Sequence, residues 1–87
     1  LNYNRFKYVA ITSNSMERPL DALNQSKGKK VIVDLKNKKQ FIGKLLAFDI
    51  HPNIVLDDTE EREEGKIVRK LGRVFIRGDT IISISPA

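Results

Sequence analysis

From Lys29 onwards, apolar and polar residues alternate with a period of two, the spacing of strands that bury one face. In KKVIVDLK, Val31, Val33 and Leu35 share one face while Asp34 and Lys36 take the other. The turn KNKK, Lys36 to Lys39, leads into a second run, QFIGKLLAFD, whose mid-run Gly43 predicts a bulge or sharp bend. NIVLDD forms a third strand, KIVRKLGRVFI a fourth with Gly72 at its middle, and TIISIS a fifth, closed by Pro86. The charged stretch TEEREEG between strands three and four reads as a solvated loop. Ahead of the strands, PLDALNQSK from Pro19 to Lys27 predicts a short helix. Pro19 suits its first position, Asp21 its positive end, Leu20 and Leu23 one face, and Gly28 its stop. A helix this short needs an apolar surface to lie on. One helix and five strands, two of them bent at internal glycines, describe a mostly β domain: a small, partly closed barrel of the OB or SH3-like kind.

The edges of this sheet carry a second message. Val74 to Ile76 and Ile81 to Ser85 have few of the lysines and prolines that keep a free edge from pairing with another chain. Pairing strand four of one copy with strand five of the next is a head-to-tail contact, which closes into a ring or runs on as a fibre. Self-association also suits a chain of 87 residues, whose core alone gives marginal stability. Residues 1–17, beginning LNYNRFKYVAITSNS, follow neither pattern and are expected to be a flexible N-terminal arm, with the folded domain spanning residues 18–87. Tyr3, Phe6 and Tyr8 with Arg5 and Lys7 offer this arm a stacking and phosphate-contact role, or a packing one.

Charge and cysteine content change the picture in two ways. Sixteen Lys and Arg against eleven Asp and Glu give +5, which favours an anionic partner such as nucleic acid. The absence of cysteine removes disulfides, thiolate metal sites and a cysteine nucleophile. No apolar run approaches membrane-spanning length and no signal-peptide pattern is seen, so an intracellular, cytoplasmic protein without membrane contact is expected.

The segment from Gly28 to Asn53, with KKVIVDL, Gly43, Asp49 and then H-x-N, resembles the first Sm motif. LGRVFIRGDTIISI, Leu71 to Ile84, resembles the second. Both lie in the expected order and spacing over about four-fifths of the chain, and the IRGD form is of the archaeal and eukaryotic type. The resemblance, to archaeal Sm-like proteins, implies an N-terminal helix on a strongly bent five-stranded antiparallel sheet. It also implies subunits joined through strands four and five into a ring, commonly a homoheptamer, with other Sm-like subunits as further partners. Such rings bind uridine-rich single-stranded RNA around the central pore and act in RNA processing, stabilisation or turnover. Carried over by motif, the RNA-binding residues are His51 and Asn53 in one loop and Arg77, Gly78 and Asp79 in the other. No catalytic residue, metal or cofactor is implied. One departure is that Pro52 stands where the family usually has Met, which restrains both its own φ and its predecessor His51.

These residue types suit the chemistry. Unpaired bases are recognised by stacking and by hydrogen bonds to their edges. His51 and Arg77 are planar and can sandwich a uracil. Asn53 carries a donor and an acceptor that can face a uracil carbonyl and ring N–H together. Asp79 is expected to accept from that amide and fix its orientation, and Asp49 to bond within its own loop. Rival readings remain: His51 as a polar turn residue, Arg77 to Asp79 as a solvated or adhesion tripeptide, DDTEEREE as a cation site without calcium-loop spacing. An enzyme lacks a visible nucleophile-plus-base constellation. An SH3-like DNA-coating protein would prefer duplex. The main alternative is a protein-binding scaffold ring whose nucleic-acid binding is non-specific and salt-driven.

Overall fold

The computed structural model describes residues 18–87, so the N-terminal arm expected over residues 1–17 lies outside the described residues. The elements are α1 (Pro19–Gln25), β1 (Lys30–Leu35), β2 (Lys39–Phe48), β3 (Ile54–Glu63), β4 (Lys66–Leu71), β5 (Val74–Ile76), a 3-10 turn (Gly78–Thr80) and β6 (Ile81–Pro86). The helix begins at the predicted proline. The Asp21 carboxylate accepts from the Arg18 backbone N–H at 3.2 Å, and Arg18 answers through its guanidinium, so both ends of the first turn are tied. At the other end Gly28, at φ 82°, turns the chain back, and its N–H donates to the Leu45 carbonyl at 2.7 Å. That bond docks the helix exit onto β2.

The sheet is antiparallel in the order β4-β3-β2-β1-β6, with β5 also pairing β3. Val31, Val33 and Leu35 point inward from β1, as their alternation predicts. They meet Leu45, Ile54, Leu56 and Ile76 in one core, with Leu23 of α1 packed against it. The bend in β2 falls where Gly43 predicts it, because the register with β3 shifts between Ile42 and Lys44. A Cβ on Gly43 would stand 2.8 Å from the Asp57 carbonyl and 3.0 Å from Thr59 Oγ1, so only glycine lets the two strands approach this closely.

Two expectations need correction. Thr59 to Glu63 is not a loop but the outer half of β3, pairing with β2 on one side and β4 on the other; the turn is confined to Glu64 and Gly65, both at positive φ. What keeps this acidic run in the sheet is cross-strand charge. Glu61 is buried and accepts from Arg69 Nε at 2.9 Å and Nη2 at 2.7 Å, while Lys39 Nζ lies 3.3 Å away. The Arg69 hydrogen bonds hold the Glu61 carboxyl below the usual glutamate range, with Lys39 adding to the effect. The predicted fourth strand is also interrupted, at Gly72 and Arg73, into β4 and β5. Both pieces stay paired with β3, from Glu63 opposite Lys66 to Ile54 opposite Ile76, so the five-strand plan survives with a break in one strand.

Candidate nucleic-acid interface

Two connections meet at one end of the sheet: Asp49–Asn53, between β2 and β3, and Arg77–Thr80, between β5 and β6. The first is closed by its own leading residue. The Asp49 N–H donates to the Asn53 carbonyl at 3.1 Å. Asp49 Oδ1 accepts the backbone N–H groups of His51 at 2.9 Å and Asn53 at 3.0 Å, and Oδ2 accepts from Asn53 Nδ2 at 3.0 Å. These bonds, the Asn53 amide first, lower the Asp49 pKa from the ordinary aspartate value, since each stabilises the charged form. The expected loop-internal role of Asp49 is thus present in the geometry.

The second connection is tied to the first through a backbone donor. Gly78 N–H donates to Asn53 Oδ1 at 2.9 Å. The Asn53 amide therefore has its oxygen on a donor and its nitrogen on an acceptor, which fixes which way it faces. The partner that sets this orientation is Asp49, with the Gly78 N–H, and not Asp79 as expected; Asp79 instead pairs with Arg77, Nη2 to Oδ2 at 2.8 Å. Proximity decides the matter, because closing the loop on Asn53 brings Asp49 to its amide, while the tight Arg77–Thr80 turn sends the Asp79 carboxylate back to its own neighbour. A Cβ on Gly78 would run into the His51 carbonyl and stand 2.8 Å from the Pro52 carbonyl, so the loops touch backbone to backbone there. His51 and Arg77 remain exposed at the rim, and Thr80 Oγ1 closes the turn on the Arg77 carbonyl at 2.7 Å.

A cleft of about 400 Å³ adjoins this junction. Phe48, Val55 and Phe75 give it apolar walls, and Asp49, Asn53 and Arg77 line its polar side. Asp49 thus lines this cleft as well as bonding within its loop. Phe48 and Phe75 were not singled out by motif reasoning. The alternation in VFI was the available signal, since it buries Ile76 and turns Phe75 outward at 78% exposure. Among the described residues no helix is long and apolar enough to cross a membrane.

Comparison with known proteins now bears on this geometry. The family model for the LSM domain matches residues 21–86. An snRNP Sm-like protein of Archaeoglobus fulgidus is 54% identical over 70 residues, covering 80% of this chain and 91% of the relative. One of Methanococcoides burtonii is 51% identical over 69 residues, 79% of this chain and 96% of the relative. Among solved structures, the Pyrococcus abyssii Sm protein in complex with a uridine heptamer superposes with a TM-score of 0.79 at 45% identity, covering 82% of this chain and all of that one. A heptameric archaeal Sm protein superposes at 0.71 with 38% identity, 76% of this chain and 96% of that one. With the family model matched over residues 21–86 and relatives of 54% and 51% identity covered over more than nine-tenths of their length, the chain belongs to the LSM domain family and is an archaeal-type Sm-like protein.

Proposed function

We propose that this chain closes into a homomeric ring and binds uridine-rich single-stranded RNA at the junction of the Asp49–Asn53 and Arg77–Thr80 connections, without catalysing a reaction. The observation that carries the reading is the state of the Asn53 amide. It spends one N–H on Asp49 and one lone pair on the Gly78 N–H, which leaves one N–H and one lone pair for a ligand. Uracil presents a carbonyl beside a ring N–H, the complement of that pair, whereas cytosine presents an acceptor at the ring nitrogen. His51 and Arg77, both exposed beside it, supply faces for the base, and base stacking on such platforms is worth about 1–3 kcal/mol. In this reading His51 stacks, Asn53 reads the base edge, Gly78 orients Asn53, and Asp79 steadies the Arg77 guanidinium. The uridine heptamer held by the Pyrococcus abyssii relative supports the same ligand class here.

Ring closure follows from the edges. Among the described residues β5 pairs only with β3, and β6 only with β1, so each leaves one edge unpaired. Each also carries a large exposed apolar side chain, Phe75 on β5 and Ile82 on β6, at 78% and 67%. Joining the β5 edge of one copy to the β6 edge of the next covers both and is head-to-tail, and the heptameric relatives support closure at seven. Several weak pockets on one strand of RNA then raise each other's effective concentration. RNA processing, stabilisation or turnover is the cellular role proposed for the assembly.

Native mass spectrometry of the protein with equal amounts of oligo-U and oligo-C, at one stated salt concentration, tests both parts. A closed oligomer selecting oligo-U is the expected result. A closed oligomer that carries both equally, or neither, leaves the ring and replaces the RNA function by the scaffold reading.

A further inference from the structure

The loop that presents His51 and Asn53 has an unusual division of labour among its backbone donors. The His51 and Asn53 N–H groups converge on Asp49 Oδ1, and between them lies Pro52, which has no N–H. Another residue there would add a donor beside an oxygen that already accepts two. Proline therefore costs the loop no hydrogen bond, and it restrains two positions at once: its ring fixes φ of Pro52, and its Cδ disfavours helical backbone at His51. The two restrained residues lead directly into Asn53. On the other side, the Pro52 carbonyl faces Gly78 closely enough that a Cβ there would come within 2.8 Å.

We propose that Pro52 is a positioning residue that holds the Asp49–Asn53 loop in its base-ready shape before RNA arrives; the proposal rests on the RNA-binding reading above. Apart from proline, the loop is held by hydrogen bonds to the exposed Asp49 carboxylate, by the Asp49 N–H on the Asn53 carbonyl and by the Gly78 N–H on Asn53 Oδ1, all of which compete with water. A loop held only that way samples other shapes, and RNA must then select the competent one, which weakens apparent affinity by the competent fraction. Substituting proline at a compatible position lowers the free energy of a flexible segment's ordering by an amount equivalent to about a two- to fivefold change in an equilibrium constant. Each pocket of a ring carries the same loop, so the factors multiply over the pockets one strand engages. Pro52 contacts no base in this role. It acts through His51 and Asn53.

The test compares the full chain with Pro52→Ala and Pro52→Gly, a series of increasing backbone freedom. Oligo-U binding is measured by calorimetry at fixed salt, amide hydrogen exchange at residues 51 and 53 with and without RNA, and thermal melting confirms that each variant is folded. The expected result is affinity falling from wild type to Ala to Gly, about two- to fivefold per pocket for Ala, with a more unfavourable binding entropy. Exchange at His51 and Asn53 should be faster in the RNA-free variants and equal in the bound ones. Unchanged affinity in both variants, whatever happens to Tm, overturns the proposal, because Pro52 would then serve stability alone. Wild-type protein that fails to bind oligo-U removes the RNA-binding reading and this inference with it. Wild-type binding with indifferent variants removes this inference only.

Discussion

Gly78→Ala tests the junction of the two loops with a single methyl group. Gly78 is not at positive φ, so alanine meets no conformational penalty there, and its effect comes from space alone. The added Cβ would run into the His51 carbonyl oxygen and lie 2.8 Å from the Pro52 carbonyl oxygen, where ordinary contact begins at 3.4 Å. Clearing the Pro52 oxygen alone takes 3.4 minus 2.8, or about 0.6 Å, and clearing the His51 oxygen takes more. A shift of this size or more stretches the Gly78 N to Asn53 Oδ1 bond from 2.9 Å to about 3.5 Å or beyond, where it no longer counts as a hydrogen bond. Losing a bond of this kind costs about 0.5–1.5 kcal/mol, and relieving the overlap costs about 1–3 kcal/mol more in strain. Converted at RT, the first term alone weakens each base site by about two- to tenfold, and repeated sites compound it. Oligo-U titration at fixed salt, with a thermal melt as control for folding, measures this. If Gly78→Ala binds oligo-U as wild type does, the loops are not coupled through this contact and the orientation argument for Asn53 fails.

Four further outcomes follow from the same structure. Asn53→Ala should erase the preference for oligo-U over oligo-C more than it lowers overall RNA affinity, and equal weakening for all homopolymers counts against edge reading. Phe75→Asp places a carboxylate on the apolar edge residue of β5 and should convert the assembly to small species in size-exclusion chromatography with light scattering; an intact ring would show that this edge is not the seam. Leu45→Ala empties a fully buried core position, costing about 2–5 kcal/mol, so Tm should fall by about 8 °C or more. The carboxyls of Glu61 and Asp49 are depressed in the folded chain, by Arg69 and by Asn53 respectively. Depressed groups stabilise fully above the ordinary carboxylate range, and that contribution is lost as pH falls through their lowered values. Melting temperature should therefore drop on acidification below about pH 4, and Glu61→Gln should be less stable at neutral pH with a shallower acid limb.

The alternation of Val31, Val33 and Leu35, the proline and glycine that bound α1, and the glycine in β2 settled much of the fold in advance. These signals are local. A period of two needs only the chain's own order to divide inside from outside, and a glycine at a bulge announces a close backbone approach wherever its neighbour comes from. The family pattern named His51, Asn53, Arg77, Gly78 and Asp79 as a candidate site because both motifs are contiguous runs.

What the sequence left open depends on groups far apart in the chain. Thr59 to Glu63 reads as solvated because four of the seven residues in its charged run are carboxylates. Only folding brings Lys39 and Arg69 across to Glu61 and makes a strand of it. Gly72 marked an irregularity in the fourth strand, and that it is a two-residue break between separately paired pieces and not a bend is set by how β4 and β5 each follow β3. At the site, tertiary structure decided which carboxylate orients Asn53. Asp49 and Asp79 lie 4 and 26 positions from it and are chemically equivalent on paper. Loop closure delivers one and the Arg77 guanidinium captures the other. A hydrogen bond is a matter of about 3 Å and a direction, so sequence sets which groups can bond, and the fold sets which ones do.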